Sequence, residues 1–130
     1  MIYTIVMNQA TPQKLTVSLF QIPENYRAML AEIAFTATQG GHKTSINSCI
    51  LEALENYLSL SQDEQAKPSL PKVPLSAFTV RTTSTLKQKI IHCAATWQLK
   101  TSFPVSMNAV VNTAILAYLQ KNIQDYQPLF

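Results

Sequence analysis

Glycine and charged residues are scarce in this sequence, which has 2 glycines in 130 residues and only 13% charged residues. Disordered and low-complexity chains are poor in apolar residues, whereas 47% of this sequence is hydrophobic. A chain of this length buries roughly two thirds of its unfolded surface on folding. The composition therefore predicts one compact core.

The sequence also lacks long apolar runs and closely spaced pairs of cysteines. No run approaches the roughly 20 residues of a membrane-spanning helix, and the start, MIYTIVMNQATPQK, lacks the basic and apolar regions of a signal peptide. Cys49 and Cys93 lie within helical apolar patterns, without a second Cys or a His at metal-ligand spacing, and are predicted to be buried free thiols. We expect a cytoplasmic protein without membrane contact, metal or other cofactor.

Patterns that indicate catalysis are absent from the sequence. It contains no paired carboxylates and no glycine-rich phosphate loop. His42 falls in a predicted loop and His92 in a predicted helix, and neither has an acid and a nucleophile close by in the sequence. We therefore expect that the protein is not an enzyme.

Charge is distributed unevenly along the chain, whose formal net charge is +3. Residues 1–66 hold three basic and six acidic residues, whereas residues 67–130 hold seven basic residues and one acidic residue. If the chain binds a polyanion, its second half is expected to supply more of the attraction.

An internal repeat is the most informative feature. Residues 45–58 align with residues 106–119 at a constant offset of 61. The aligned identities are Ser45/Ser106, Asn47/Asn108, Ala53/Ala114, Tyr57/Tyr118 and Leu58/Leu119. Apolar positions recur at steps of three and four, and each copy opens with a serine suited to an N-cap. Both segments are predicted to be helices with matching buried faces.

Each predicted helix is preceded by another helix and, before that, by a strand. The first helices run from Pro23 to about Gln39 and from about Ser84, with apolar stripes at an offset of 60. The runs Lys14–Phe20 and Ala77–Thr83 alternate with period two and predict strands. One face is assigned the residues Leu15, Val17, Leu19, Phe78 and Val80, and the other Lys14, Thr16, Ser18, Ala77, Thr79 and Arg81.

The chain is thereby divided into five segments. Residues 14–59 and 75–123 are the two strand-helix-helix units, and residues 60–74 are a proline-rich linker, predicted to be partly extended. Residues 1–13 are predicted to form an arm or an extra strand, and residues 124–130 are predicted to form a tail. A lone strand leaves backbone groups unpaired, so the two strands are expected to pair antiparallel over one shared core. Such a ribbon is small enough to enter the major groove of DNA.

This order of elements resembles the ribbon-helix-helix, or Arc/MetJ-like, DNA-binding proteins, and in particular the members with two units on one chain, such as conjugation accessory proteins of the TraY type. The resemblance covers residues 14–58 and 77–119. It implies a mainly α fold in which two tandem ribbon-helix-helix units form an intramolecular pseudo-dimer with a two-stranded antiparallel ribbon. It also implies sequence-specific binding of double-stranded DNA, in transcriptional regulation or plasmid and conjugative DNA processing. Since family members often line up side by side, self-association on DNA is a further expectation.

The family resemblance also suggests site residues, because its outward strand residues read base edges and the first turn of each unit's second helix holds a phosphate. Candidate base contacts are Lys14, Thr16, Ser18, Ala77, Thr79 and Arg81. Arg81 is the strongest, since a guanidinium can bond O6 and N7 of one guanine. Candidate phosphate contacts are Lys43, Thr44, Ser45 and Ser106.

A second class of function stays open at this point. The same fold could serve as a protein-protein interaction module or accessory subunit, with weak or no DNA binding. The acidic first half of the chain and its modest total charge favour this alternative.

Overall fold

The computed structural model describes residues 15–123 as a small α/β protein with a two-stranded antiparallel sheet and four helices. The elements in chain order are β1 (Leu15–Pro23), α1 (Glu24–Gln39), α2 (Ile46–Leu58), β2 (Leu75–Thr83), α3 (Ser84–Thr101) and α4 (Met107–Asn122). The predicted arm at 1–13, the strand residue Lys14 and the tail at 124–130 lie outside the described residues.

The helices begin at residues whose local chemistry favours a helix start. Ser45 and Ser106 are the predicted N-caps of α2 and α4, and each hydroxyl accepts a 3.1 Å hydrogen bond from a first-turn amide, of Ser48 and Ala109 respectively. The cap of α3 is Thr83, directly before the helix start predicted at about Ser84, and its hydroxyl accepts from the amide of Leu86. These side chains satisfy amides that have no partner within the helix.

Antiparallel pairing of the strands, which the sequence predicts, is confirmed along their whole length. Leu15 lies opposite Thr83 at one end, and Pro23 lies opposite Leu75 at the other. Leu19 and Thr79 face each other at the centre. Corresponding residues of the two strands are 60 positions apart, as Leu15 and Leu75 illustrate.

One face of the ribbon packs on the helices. Phe20, Ile22 and Val80 point from the strands into a core that also contains the buried faces of all four helices. Leu54 of α2 and Ile115 of α4 are completely buried in it. This arrangement buries the apolar stripes of the helices and leaves the opposite face of the ribbon to solvent.

The faces predicted for β1 are wrong. Leu15, Val17 and Leu19 are 58%, 66% and 63% exposed, whereas Ser18 is only 7% exposed and Thr16 is half-buried. The three aliphatic residues therefore occupy the outer face, and the two hydroxyl residues occupy the inner face.

The error corresponds to a three-residue slip between the two strand segments. The segments assigned from the sequence, Lys14–Phe20 and Ala77–Thr83, begin 63 positions apart, whereas the strands of the structure correspond at 60. Side chains alternate between faces, so an odd slip exchanges inside and outside. The faces of β2 are as predicted, with Val80 buried and Ala77, Thr79 and Arg81 exposed.

The linker is attached to both helices of the second half. Gln65 accepts a 2.9 Å hydrogen bond from the indole of Trp97 on α3, and the amide of Ser69 donates to the hydroxyl of Thr113 on α4. Pro68 is buried. These contacts hold the proline-rich segment against the folded core. Among residues 15–123, no helix has the length and apolar character that a membrane span requires.

Candidate nucleic-acid interface

The outer face of the ribbon is the candidate interface, and its two strands differ in chemistry. We call Ala77, Thr79 and Arg81 the polar row of β2; all three are exposed. We call Leu15, Val17 and Leu19 the aliphatic row of β1. In the paired register Val17 faces Arg81 and Leu19 faces Thr79, so the rows lie side by side.

Ala77, Thr79 and Arg81 are therefore the predicted base-contacting residues on this face, and two others, Thr16 and Ser18, are not on it. Thr16 and Ser18 lie on the inner face, where the hydroxyl of Thr16 donates to the carbonyl of Thr82 at 3.3 Å. The correction follows from the slip described above. The prediction for Lys14 concerns a residue outside the described part of the chain.

Gln21 is a candidate that sequence reasoning missed. It is half-exposed on the outer face of β1, opposite Ala77, and it corresponds to Arg81 at the offset of 60. Its side-chain amide has both a donor and an acceptor, the pair of groups with which glutamine recognises adenine. Carrying the 60-residue offset of the first helices back into the strands would have identified it.

Asparagines attach the N-terminal turns of α2 and α4 to opposite edges of the ribbon, Asn47 at one edge and Asn108 with Asn112 at the other. Asn47 accepts from the backbone amide of Arg81 at 2.8 Å and donates to its carbonyl at 3.1 Å. Asn108 accepts from the backbone amide of Gln21 at 3.1 Å, and Asn112 donates to the carbonyl of Gln21 at 2.8 Å. Each asparagine thus comes from one half of the chain and binds the strand of the other half. Their identity in the sequence repeat has a structural cause, because they pair backbone groups that the edge of a strand leaves open.

The two helix starts beside the ribbon are suited to bind anions. Neither α2 nor α4 has an acidic residue in its first turn, and Ser45 and Ser106 are exposed. Amide groups at a helix start point outward and carry partial positive charge. One such site therefore lies on each side of the ribbon.

The loop before α2 holds the other two predicted phosphate contacts. Lys43 is fully available because its side chain is exposed. Thr44 uses its amide in a bond to the hydroxyl of Thr38 and its own hydroxyl in a bond to the carbonyl of His42. Its donors are thus engaged within the loop, and Lys43 is the better candidate of the two.

Charge around the interface favours an anionic partner. The two strands and residues 42–49 and 103–110 contain no acidic residue, while Arg81 and Lys43 are basic. The acidic residues of the described chain all lie between Glu24 and Glu64, outside these segments. The described residues also contain no cluster of His, Cys, Asp and Glu able to hold a metal ion.

The chain matches no protein-family model, and neither the curated proteins nor the solved structures give a significant match. The functional argument accordingly rests on the ribbon and on the helix starts beside it.

Proposed function

We propose that the protein is a tandem ribbon-helix-helix protein that binds double-stranded DNA sequence-specifically, with its ribbon in the major groove. The two halves of the chain would act as an intramolecular pseudo-dimer. One observation carries the proposal: Asn47 and Asn108 hold two helix starts against opposite edges of a ribbon whose outer face is exposed. A transcriptional regulator or a plasmid and conjugation accessory factor is the corresponding role.

The dimensions of the ribbon suit this mode of binding. Neighbouring strands lie about 4.8 Å apart, and the major groove of B-form DNA is about 12 Å wide. The outer side chains would meet base edges. Arg81 would bond a guanine, and Gln21, at the corresponding position of the other strand, would bond an adenine. Thr79 and Ala77 complete the polar row.

The phosphate backbone would be held on both sides of the groove. The first turns of α2 and α4, which begin after Ser45 and Ser106, supply backbone amides, and Lys43 adds a positive charge on one side. Since the fused halves differ, the recognised site would be asymmetric rather than a palindrome.

A second function is favoured by one specific observation. The aliphatic row of β1 exposes three large apolar side chains, a feature that often marks a protein-binding surface. A protein-protein interaction module, or an accessory subunit with weak DNA binding, is therefore the alternative. The cytoplasm is the expected location under either function.

The test is selection of random duplex DNA by the full chain, followed by titration of the enriched duplex at several salt concentrations. We expect a motif bound at roughly 10 nM or tighter, with affinity that falls steeply as salt rises. Weak binding at low salt only, without enrichment, would contradict the proposal and favour the protein-interaction module.

Arg81→Ala tests the mechanism on the selected duplex. Loss of a bidentate guanine contact should weaken binding by about 10- to 100-fold and relax the preference at one base pair. Lys121→Ala, which removes a positive charge at the far end of α4, is the matched control and should leave binding nearly unchanged. Equal weakening by Arg81→Ala on all sequences would instead indicate a phosphate contact.

A further inference from the structure

The aliphatic row of β1 contributes no hydrogen-bonding side chain to the ribbon face. Leu15, Val17 and Leu19 alternate along the strand and are each more than half exposed. Such a row is unfavourable in water, because each side chain leaves most of its apolar surface hydrated. Three exposed aliphatic side chains on one strand indicate a surface that is covered when a partner binds.

The polar row beside it indicates which chemical groups the partner presents to the ribbon. Val17 is paired with Arg81, and Leu19 is paired with Thr79 at the centre of the ribbon. A partner that covers Val17 therefore also meets a guanidinium, without an acidic residue in either strand to balance it. Leu15 lies opposite Thr83 at the end of the ribbon and is the least central of the three.

Major-groove chemistry offers one apolar feature that fits this row. The edges of the four base pairs present hydrogen-bond donors and acceptors, and the C5-methyl group of thymine is the largest apolar group among them. An aliphatic side chain placed against a donor or acceptor would leave that group desolvated and unpaired. Against a thymine methyl, the same side chain buries apolar surface on both partners.

We infer that Val17 and Leu19 recognise thymine methyl groups. The DNA site then requires thymine opposite β1, beside the base edge that Arg81 of β2 reads through hydrogen bonds. The inference rests on the proposed DNA-binding function and specifies its substrate. The ribbon then combines two physical means of recognition: burial of methyl groups by Val17 and Leu19 of β1, and directed hydrogen bonds by Arg81 of β2 and Gln21 of β1.

The experiment uses the full chain and the duplex selected by it, synthesised with thymine or with deoxyuridine at each thymine position in turn. Deoxyuridine differs from thymidine only in lacking the C5-methyl group. We expect binding to weaken about four-fold for each recognised methyl group that is removed, the factor typical of one buried methyl. Positions outside the ribbon contact should tolerate the replacement.

Leu19→Ala and Val17→Ala connect the effect to the row. Each variant should bind the thymine duplex more weakly and lose the distinction between thymine and deoxyuridine at one position. Leu99→Ala removes a leucine of α3 that is even more exposed, and it should keep the full distinction. Unfolding curves of the variants verify that the fold is retained, as expected for side chains exposed on the surface.

The possible results separate the inference from the function on which it rests. Tight binding of the selected duplex with no loss on deoxyuridine would overturn methyl recognition and leave sequence-specific DNA binding intact. Retention of the thymine preference in Leu19→Ala and Val17→Ala would likewise overturn the role of these residues. Failure of the wild-type chain to select any duplex would contradict both methyl recognition and the proposed DNA-binding function. It would then favour a protein partner for the aliphatic row.

Discussion

β1 and β2 each have nine residues and pair along their whole length, yet β1 presents Val17 and Leu19 to solvent where β2 presents Ala77 and Thr79. The inner rows differ much less. Phe20 and Val80, which correspond at the offset of 60, are both buried in the same core. Core packing thus restricts one face of each strand, while the outer face is free to differ between the two strands.

The backbone frame around the ribbon is shared by both halves, although its details differ. In the first half Asn47 alone bonds both backbone groups of Arg81. In the second half Asn108 and Asn112 divide the same task at Gln21. A chain that keeps this frame can change one outer row without losing the ribbon.

The largest effect is expected from comparing substitutions on the two faces of β1, one at a buried residue and one at an exposed residue. Phe20→Ala removes a buried ring and should lower the free energy of unfolding by about 3–5 kcal/mol. Leu19→Ala, one residue earlier, removes an exposed side chain and should change the free energy by about 0.5 kcal/mol or less. Urea unfolding of both variants at the same pH measures the difference. A costly Leu19→Ala beside a tolerated Phe20→Ala would mean that β1 presents the opposite face to the core.

A smaller effect is expected at the asparagines that attach the helix starts. A hydrogen bond contributes a net amount of about 0.5–1.5 kcal/mol, so Asn47→Ala, which removes two, should cost about 1–3 kcal/mol. Asn108→Ala removes one side-chain bond to the strand and should cost about half as much. Both should also weaken binding of the selected duplex, because the helix start beside the ribbon is no longer fixed.

Asn56→Ala is the matched control for these variants, since Asn56 is exposed on α2 away from the strands. It should leave both unfolding and DNA binding close to the wild-type values. If Asn108→Ala proved as neutral as Asn56→Ala, the attachment of α4 would depend on Asn112 alone.

Much of this architecture is predictable from the sequence, because helix periodicity and capping are local properties. The repeat identifies α2 and α4, and Ser45 and Ser106 mark their first turns correctly. The faces of β1 are harder to predict, because residues 15–19 alternate strictly between aliphatic and hydroxyl residues, a pattern that favours burial of the aliphatic side, whereas the structure exposes that side. A strand with three outer aliphatic residues and an inner serine contradicts the usual pattern, and only the continuous offset into α1 and α3 corrects it.

The hydrogen-bonding roles of the repeated asparagines could likewise not be predicted from the local sequence pattern. Asn47 and Asn108 are visible as identities, but their partners are backbone groups 34 and 87 residues away in the chain. Sequence spacing carries no information about such pairs. The missed candidate Gln21 depends on the same long-range frame, because its place on the outer face follows from the corrected register.

The smallest expected effect is the pH dependence of stability that comes from the two buried thiols, one in each half of the chain. Burial raises the pKa of Cys93 on α3 above its ordinary value of 9.0. Burial also raises the pKa of Cys49 on α2, although a hydrogen bond with Tyr118 acts in the opposite direction. Both thiols are neutral below pH 8 in the folded and unfolded chains, so they give no pH dependence there.

Above pH 9 the unfolded chain releases these thiol protons before the folded chain does. The stability contributed by the protonated thiols is therefore fully present below pH 9 and is lost as pH rises through the raised pKa values of the folded state. Urea unfolding between pH 7 and pH 11 should show a falling free energy of unfolding, and Cys93→Ala should show a shallower fall than the wild type. The remaining slope would come from Cys49 and from Tyr57 and Tyr118, whose pKa values burial also raises. An unchanged slope in Cys93→Ala would mean that water reaches this thiol, and that the packing of α3 around it is looser than that of α2 around Cys49.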